Sequence, residues 1–110
     1  MAPGGGADAA IDGDPNCRPL EDPGRDIYQY TFTGTSPRRF GLPGGYEGTS
    51  MAVPHVSATA ALIIGEKLLG PDPAPAAVTA QLERTARDLG PTGPDNMYGY
   101  GLLNAAAATG

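Results

Sequence analysis

The sequence has 110 residues and a net charge of −5, a balance that repels phosphate backbones and argues against a nucleic-acid partner. Glycine and proline supply 17 and 12 of its positions, a loop-rich composition. Cys17 is the single cysteine, which excludes an internal disulfide and a thiolate metal cluster.

Residues 1–25 read as an acidic loop punctuated by Pro3-Gly4, Gly13, Pro15, Pro19 and Pro23-Gly24. Half of the twelve acids lie before Ile27, and a solvated surface is the expectation for them. Asp12-Gly13-Asp14-Pro15-Asn16 offers alternate oxygen ligands, but Cys17 stands where a calcium loop needs glycine, so no metal site is read there. No cationic segment followed by an apolar stretch opens the chain, so no signal peptide is read in it.

Ile27 to Thr33, Ile-Tyr-Gln-Tyr-Thr-Phe-Thr, is rich in aromatic and β-branched residues and predicts a strand. Gly34 to Arg39 predicts a turn, Arg39 to Leu42 a short return strand, and Pro43-Gly44-Gly45 its end.

A helix is predicted to start close to Ser50, capped by Thr49 or Ser50. Pro54 belongs in its first turn or distorts it, because proline brings no N–H. The segment stays apolar on nearly every side up to Gly70-Pro71, so it calls for surrounding elements that the rest of the sequence does not supply. His55, Glu66 and Lys67, with Pro54 and Gly65 as interruptions, suit a buried helix better than a membrane span. A second, amphipathic helix is predicted over 75–89, with Val78, Leu82, Ala86 and Leu89 inward and Gln81, Glu83, Arg84, Arg87 and Asp88 outward. Gly99-Tyr100-Gly101 then turns the chain into a short closing helix in the alanine run after Asn104.

Chemistry concentrates in Gly48-Thr49-Ser50-Met51-Ala52-Val53-Pro54-His55-Val56. A nucleophilic serine needs a small residue nearby so that the chain can turn and substrate backbone can approach. It also gains from a helix that starts at the serine, whose unpaired N–H groups and positive dipole end suit an oxyanion. Gly48 and Ser50 meet these demands, and an ordinary serine helix cap meets some of them too.

The whole string resembles the nucleophile motif of the subtilisin family. Ala2-Pro3-Gly4 resembles the segment that precedes that nucleophile, and Gly99-Tyr100-Gly101-Leu102-Leu103-Asn104-Ala105 resembles the stretch that closes the catalytic domain. The resemblance implies an α/β fold, a mostly parallel sheet flanked by helices, of which 1–110 would be the C-terminal portion. Residues 1–49 would supply loops and a hairpin, and 50–110 the nucleophile helix and further helices, about three in all. It implies a serine endopeptidase in which Ser50 attacks the scissile carbonyl and its own backbone N–H forms half of the oxyanion hole. Gly48, Thr49, Met51, Pro54 and His55 would be structural members of the motif.

In this family the triad runs Asp, His, Ser along the chain, so both partners of Ser50 are expected in segments preceding Ala2. His55 follows the serine, and five helical residues turn by roughly 500°, which directs the two side chains apart. A packed structural histidine is the reading that follows. Asn16, Asn96 and Asn104 do not match the family's oxyanion asparagine. Ser57-Ala58 replaces the family's usual Ala-Gly, adding a methyl where the helix packs closely.

The resemblance further implies a polypeptide substrate for the full-length form, secretion, and no cofactor, calcium being possible in the family but unsupported by residues here. The isolated chain is expected to be inactive. An α/β-hydrolase is disfavoured, because its histidine is expected after the serine and no histidine follows His55 here. The alternative reading is a non-catalytic truncated product or small interaction protein.

Overall fold

The computed structural model describes residues 1–5 and 26–110. The predicted loop at 6–25, the Asp12–Asn16 turn and Cys17 lie outside the described residues. Two compact units divide the chain, one of Pro3–Ala52 and one of Met1–Ala2 with Val53–Gly110.

The first unit is built on an antiparallel pair, β1 (Thr31–Phe32) and β2 (Phe40–Gly41), with Thr31 opposite Gly41 and Phe32 opposite Phe40. Thr33 N–H donates to the Arg39 carbonyl at 2.9 Å, closing the predicted turn, in which Gly34 takes a left-handed φ of 66°. The ladder is shorter than the strand expected from Ile27. Pro43 has no N–H to offer a partner strand, and the Gly45 N–H is taken by the Asp26 carboxylate at 2.7 Å. Ile27 N–H therefore reaches the Tyr46 carbonyl at 2.9 Å, one residue out of the β1–β2 register. Ring contacts fix the pair from one side: Tyr30 and Phe40 stack with centroids 5.8 Å apart, and Phe32 and Phe40 meet tilted at 4.7 Å.

α1 (Thr49–Gly65) begins one residue earlier than expected. The Gly48 carbonyl accepts from Met51 at 3.0 Å and Ala52 at 3.2 Å, so Gly48 is the cap and neither Thr49 nor Ser50 is. Pro54 falls in the second turn, and the helix continues through it. α1 also ends earlier than Gly70. Leu68 N–H donates to the Ile63 carbonyl and Lys67 N–H to the Ile64 carbonyl, the crossed pair that terminates a helix through a left-handed residue. That residue is Lys67, with φ of 55°.

In the second unit α2 (Pro75–Thr85) starts with Pro75 in the position where a missing N–H costs nothing. It stops short of the expected Leu89 because Arg87 turns from helix to strand pairing. Its N–H and carbonyl exchange two 2.8 Å bonds with Leu102. Gly101 makes that approach possible, since a Cβ there would lie 2.2 Å from the Arg87 carbonyl oxygen. Ala86 and Leu89, expected on the inner helical face, thus fall beyond the helix. Met1 bonds to the residues on either side of Leu102: its ammonium donates to the Gly101 carbonyl at 2.6 Å and its carbonyl accepts from Leu103 N–H at 2.8 Å.

α3 (Ala105–Thr109) is capped by the Asn104 side chain, which accepts from Ala107 N–H at 3.1 Å. Gln81, expected to face outward, is half-buried and donates to the Ala108 carbonyl at 2.9 Å, tying α2 to α3. Ile63, Val78 and Ala108 form the buried core, with Ala60, Leu69 and Leu82 packed against them. Full burial is worth roughly 1.5–3 kcal/mol for a side chain such as Ile63, so this is a small core. Of α1, only Thr59 and Ile63 are buried, while Val53, Leu62 and Ile64 stay exposed. The expectation that the chain cannot surround this helix is met in those terms.

A side chain in the left-handed region costs about 1 kcal/mol, part of which glycine gives back in backbone entropy. Lys67→Gly is therefore expected to stabilise the protein by about 0.5 kcal/mol, read as a higher denaturation midpoint at unchanged m-value.

Candidate active site at the start of α1

The site is assembled from three backbone segments of the first unit. Gly48 leads into α1 with φ of 114°, a conformation that only glycine adopts readily. Its N–H donates to the Gly4 carbonyl at 2.7 Å. A Cβ on Gly4 would lie 2.8 Å from the Gly48 carbonyl oxygen and 3.8 Å from the Ala52 Cβ, so the segment at Pro3-Gly4 reaches the helix start only because residue 4 has no side chain. The third segment is Pro43–Gly45, held by the Asp26 carboxylate through the Gly45 N–H.

Ser50 is the second residue of α1 and is exposed. Its N–H lies in the first turn, where no intrahelical acceptor exists, and among the described residues none accepts it. The helix dipole adds positive potential at the same end. An exposed hydroxyl beside an unpaired N–H can present a nucleophile and an oxyanion donor to one carbonyl group.

Thr49 is exposed and Met51 half-buried beside it. Pro54 stands four residues after Ser50 within the helix, so the Ser50 carbonyl receives no N–H from that position. His55 is half-buried, and its carbonyl accepts from the Thr59 hydroxyl at 2.8 Å. Among the described residues no hydrogen bond joins the Ser50 hydroxyl to an imidazole or a carboxylate. Nor does any group of three or more His, Cys, Asp and Glu side chains among them have the geometry of a metal site. No described helix is long and apolar enough to cross a membrane.

Two contributors to the site were not read from the sequence. Asp26 looked like one more surface acid, and only its carboxylate bond to Gly45 reveals its part in shaping the loop. Gly4 was noted within a motif, but its contact with Gly48 has no local sequence signal, since the two are far apart along the chain.

A profile of the Subtilase family matches residues 2–101. Subtilisin Savinase of Lederbergia lenta is 47% identical over 62 residues, covering 56% of this chain and 21% of the relative. Subtilisin of Bacillus pumilus is 46% identical over 71 residues, covering 61% of this chain and 24% of the relative. Among solved structures, the psychrophilic subtilisin-like protease Apa1 from the Antarctic psychrotroph Pseudoalteromonas sp. AS-11 matches with a TM-score of 0.52 and 41% identity. That match covers 64% of this chain and 16% of the other. The hairpin and three helices are thus a piece of an α/β, subtilisin-like fold, and the chain spans about a quarter or less of the relatives it matches.

Gly4→Ala is expected to break the Gly48 N–H bond by steric contact. The readout is hydrogen exchange at the Gly48 amide, which should speed up by about tenfold, the equivalent of a hydrogen bond lost from a local opening equilibrium.

Proposed function

Because the chain belongs to the subtilase family, we propose that it is the C-terminal part of a serine endopeptidase catalytic domain with Ser50 as its nucleophile. The observation that carries this reading is the Gly-Thr-Ser-Met-Ala-Val-Pro-His string lying across a glycine-capped helix start, with Ser50 exposed in the first turn. The Ser50 oxygen attacks the carbonyl carbon of a peptide bond while its proton passes to an imidazole supplied by another segment. The carbonyl oxygen, now negative, receives the Ser50 N–H and the positive end of α1. Collapse releases the amine and leaves an ester on Ser50, which water then hydrolyses.

Gly48 provides the turn, Thr49 and Met51 flank the nucleophile, and Pro54 and His55 are positioned for packing within the helix rather than for proton transfer. The substrate is polypeptide, and secretion is the family expectation. The chain alone is inactive in this reading, because a serine without an oriented base lacks the group that accepts its proton. The absence of an imidazole or carboxylate bonded to Ser50 among the described residues favours one alternative, a non-catalytic interaction protein.

The separating experiment labels Ser50 with a fluorophosphonate. A full-length form carrying the upstream aspartate and histidine should label and cleave casein, and Ser50→Ala should abolish both, with a loss of several orders of magnitude as seen when subtilisins lose this serine. The 110-residue chain should do neither; casein cleavage by the chain that disappears on Ser50→Ala would refute its inactivity. No labelling in either form leaves the interaction-protein reading standing.

Met51 beside the nucleophile carries an oxidisable thioether. Peroxide treatment of the full-length form should lower kcat in step with sulfoxide at Met51 measured by mass spectrometry, and an unchanged rate at full oxidation would contradict its placement.

A further inference from the structure

The backbone leading to Ser50 is held peptide by peptide. The Asp26 carboxylate accepts from the Gly45 N–H at 2.7 Å, and the next residue, Ile27, donates its N–H to the Tyr46 carbonyl at 2.9 Å. The Gly48 N–H then reaches the Gly4 carbonyl at 2.7 Å, and the Gly48 carbonyl receives Met51 and Ala52. The peptide groups at 44–45, 46–47, 47–48 and 48–49 are therefore tied in turn, within the one compact unit Pro3–Ala52. Glycines at 44, 45 and 48 give this stretch wide backbone freedom, so its shape depends on those ties. Three of them are made by backbone. The one at 44–45 is made by a side chain, and an ionised acceptor makes it stronger than a neutral one would.

We propose that Asp26 is a positioning residue for the acylation of Ser50. By fixing the Gly44-Gly45 peptide it holds the following backbone in the shape that presents the Ser50 hydroxyl and N–H to the same carbonyl group. The inference rests on the reading of Ser50 as a nucleophile, and gives Asp26 a part in that reaction through the backbone, with no proton transferred. Misplacing a reacting group by about 1 Å costs on the order of a hundredfold in rate, so loosening this stretch costs a measurable part of that. The position requires an acceptor, which asparagine supplies and leucine, of similar size, does not. Gly44 offers access to the same tie from its other side. A Cβ there would lie 3.1 Å from the Asp26 carboxylate oxygen, and Gly44 has no positive φ. Gly44→Ala thus crowds the carboxylate without backbone strain.

The test has two parts. In the 110-residue chain, Asp26→Leu should speed hydrogen exchange at the Gly48 amide by about fivefold, as well as at Gly45 itself, because the ties act as one unit. In the full-length form, kcat for peptide hydrolysis is measured per active site, with the sites counted by fluorophosphonate titration. Asp26→Leu should lower kcat about tenfold, the equivalent of about 1.4 kcal/mol, at unchanged KM. Asp26→Asn should restore most of that loss, and Gly44→Ala should lower kcat about threefold.

A purely structural role gives a different result: fewer titrated sites, each with the kcat of the unmodified enzyme, and that outcome overturns the proposal. Unchanged exchange at Gly48 overturns it too, as does an asparagine variant as slow as the leucine one. If the leucine variant does not fold, Gly44→Ala decides, and an unchanged kcat there counts against the proposal. Absent labelling of the unsubstituted full-length form overturns the Ser50 reading together with this role, whereas normal labelling with kcat unaffected by Asp26→Leu overturns this role alone.

Discussion

The hydrogen bond from the Gly48 N–H to the Gly4 carbonyl sets the geometry on which the rest of the candidate site depends. Gly48 spends both backbone groups at once. Its carbonyl receives the first helical donors of α1, and its N–H anchors the incoming chain to a segment remote in sequence. With both groups fixed, the peptide plane between Gly48 and Thr49 has little freedom, and the N–H groups that follow must point away from the helix body. Ser50 inherits its exposure and its unpaired N–H from that arrangement rather than from any interaction of its own hydroxyl. Positive φ at Gly48 and the absent side chain at Gly4 are two conditions for the same contact.

α1 illustrates how a helix can be specified locally and yet remain short of partners. Its sequence is apolar on all sides, while Ile63 and Thr59 are its only residues buried by the described chain. The hairpin shows the same imbalance in a sheet, with its aromatic face outward. Both surfaces cost the protein favourable burial in this chain, and both are the sort of surface that another polypeptide covers. The matched segment is about a quarter or less of each of the relatives described above.

The nucleophile segment was legible because its chemistry is local: a turn, a serine and a helix start occupy consecutive positions, and a single string records all three. The hairpin turn, the Pro75 helix start and the Asn104 cap were legible for the same reason. Where the outcome turned on distant backbone, the sequence misled. The end of α2 depended on Leu102 capturing the backbone of Arg87, and no periodicity in 75–89 announces that. The end of α1 came at Lys67, a residue without the glycine signature of a left-handed cap. The cap at Gly48 was missed because serine and threonine are better caps in general, whereas here the chain requires a φ that neither adopts readily. Gln81 was assigned to water by its polarity, although its amide is the donor that α3 needs.

The Met1 nitrogen donates a hydrogen to the Gly101 carbonyl while the Met1 carbonyl accepts from the Leu103 N–H. An amide nitrogen retains one hydrogen after acylation, so joining a further residue there by a peptide bond preserves the donor and removes only the charge. Acylation of that nitrogen therefore keeps its bond to the Gly101 carbonyl, whereas a tertiary amide, as a proline at position 1 would form, silences the contact.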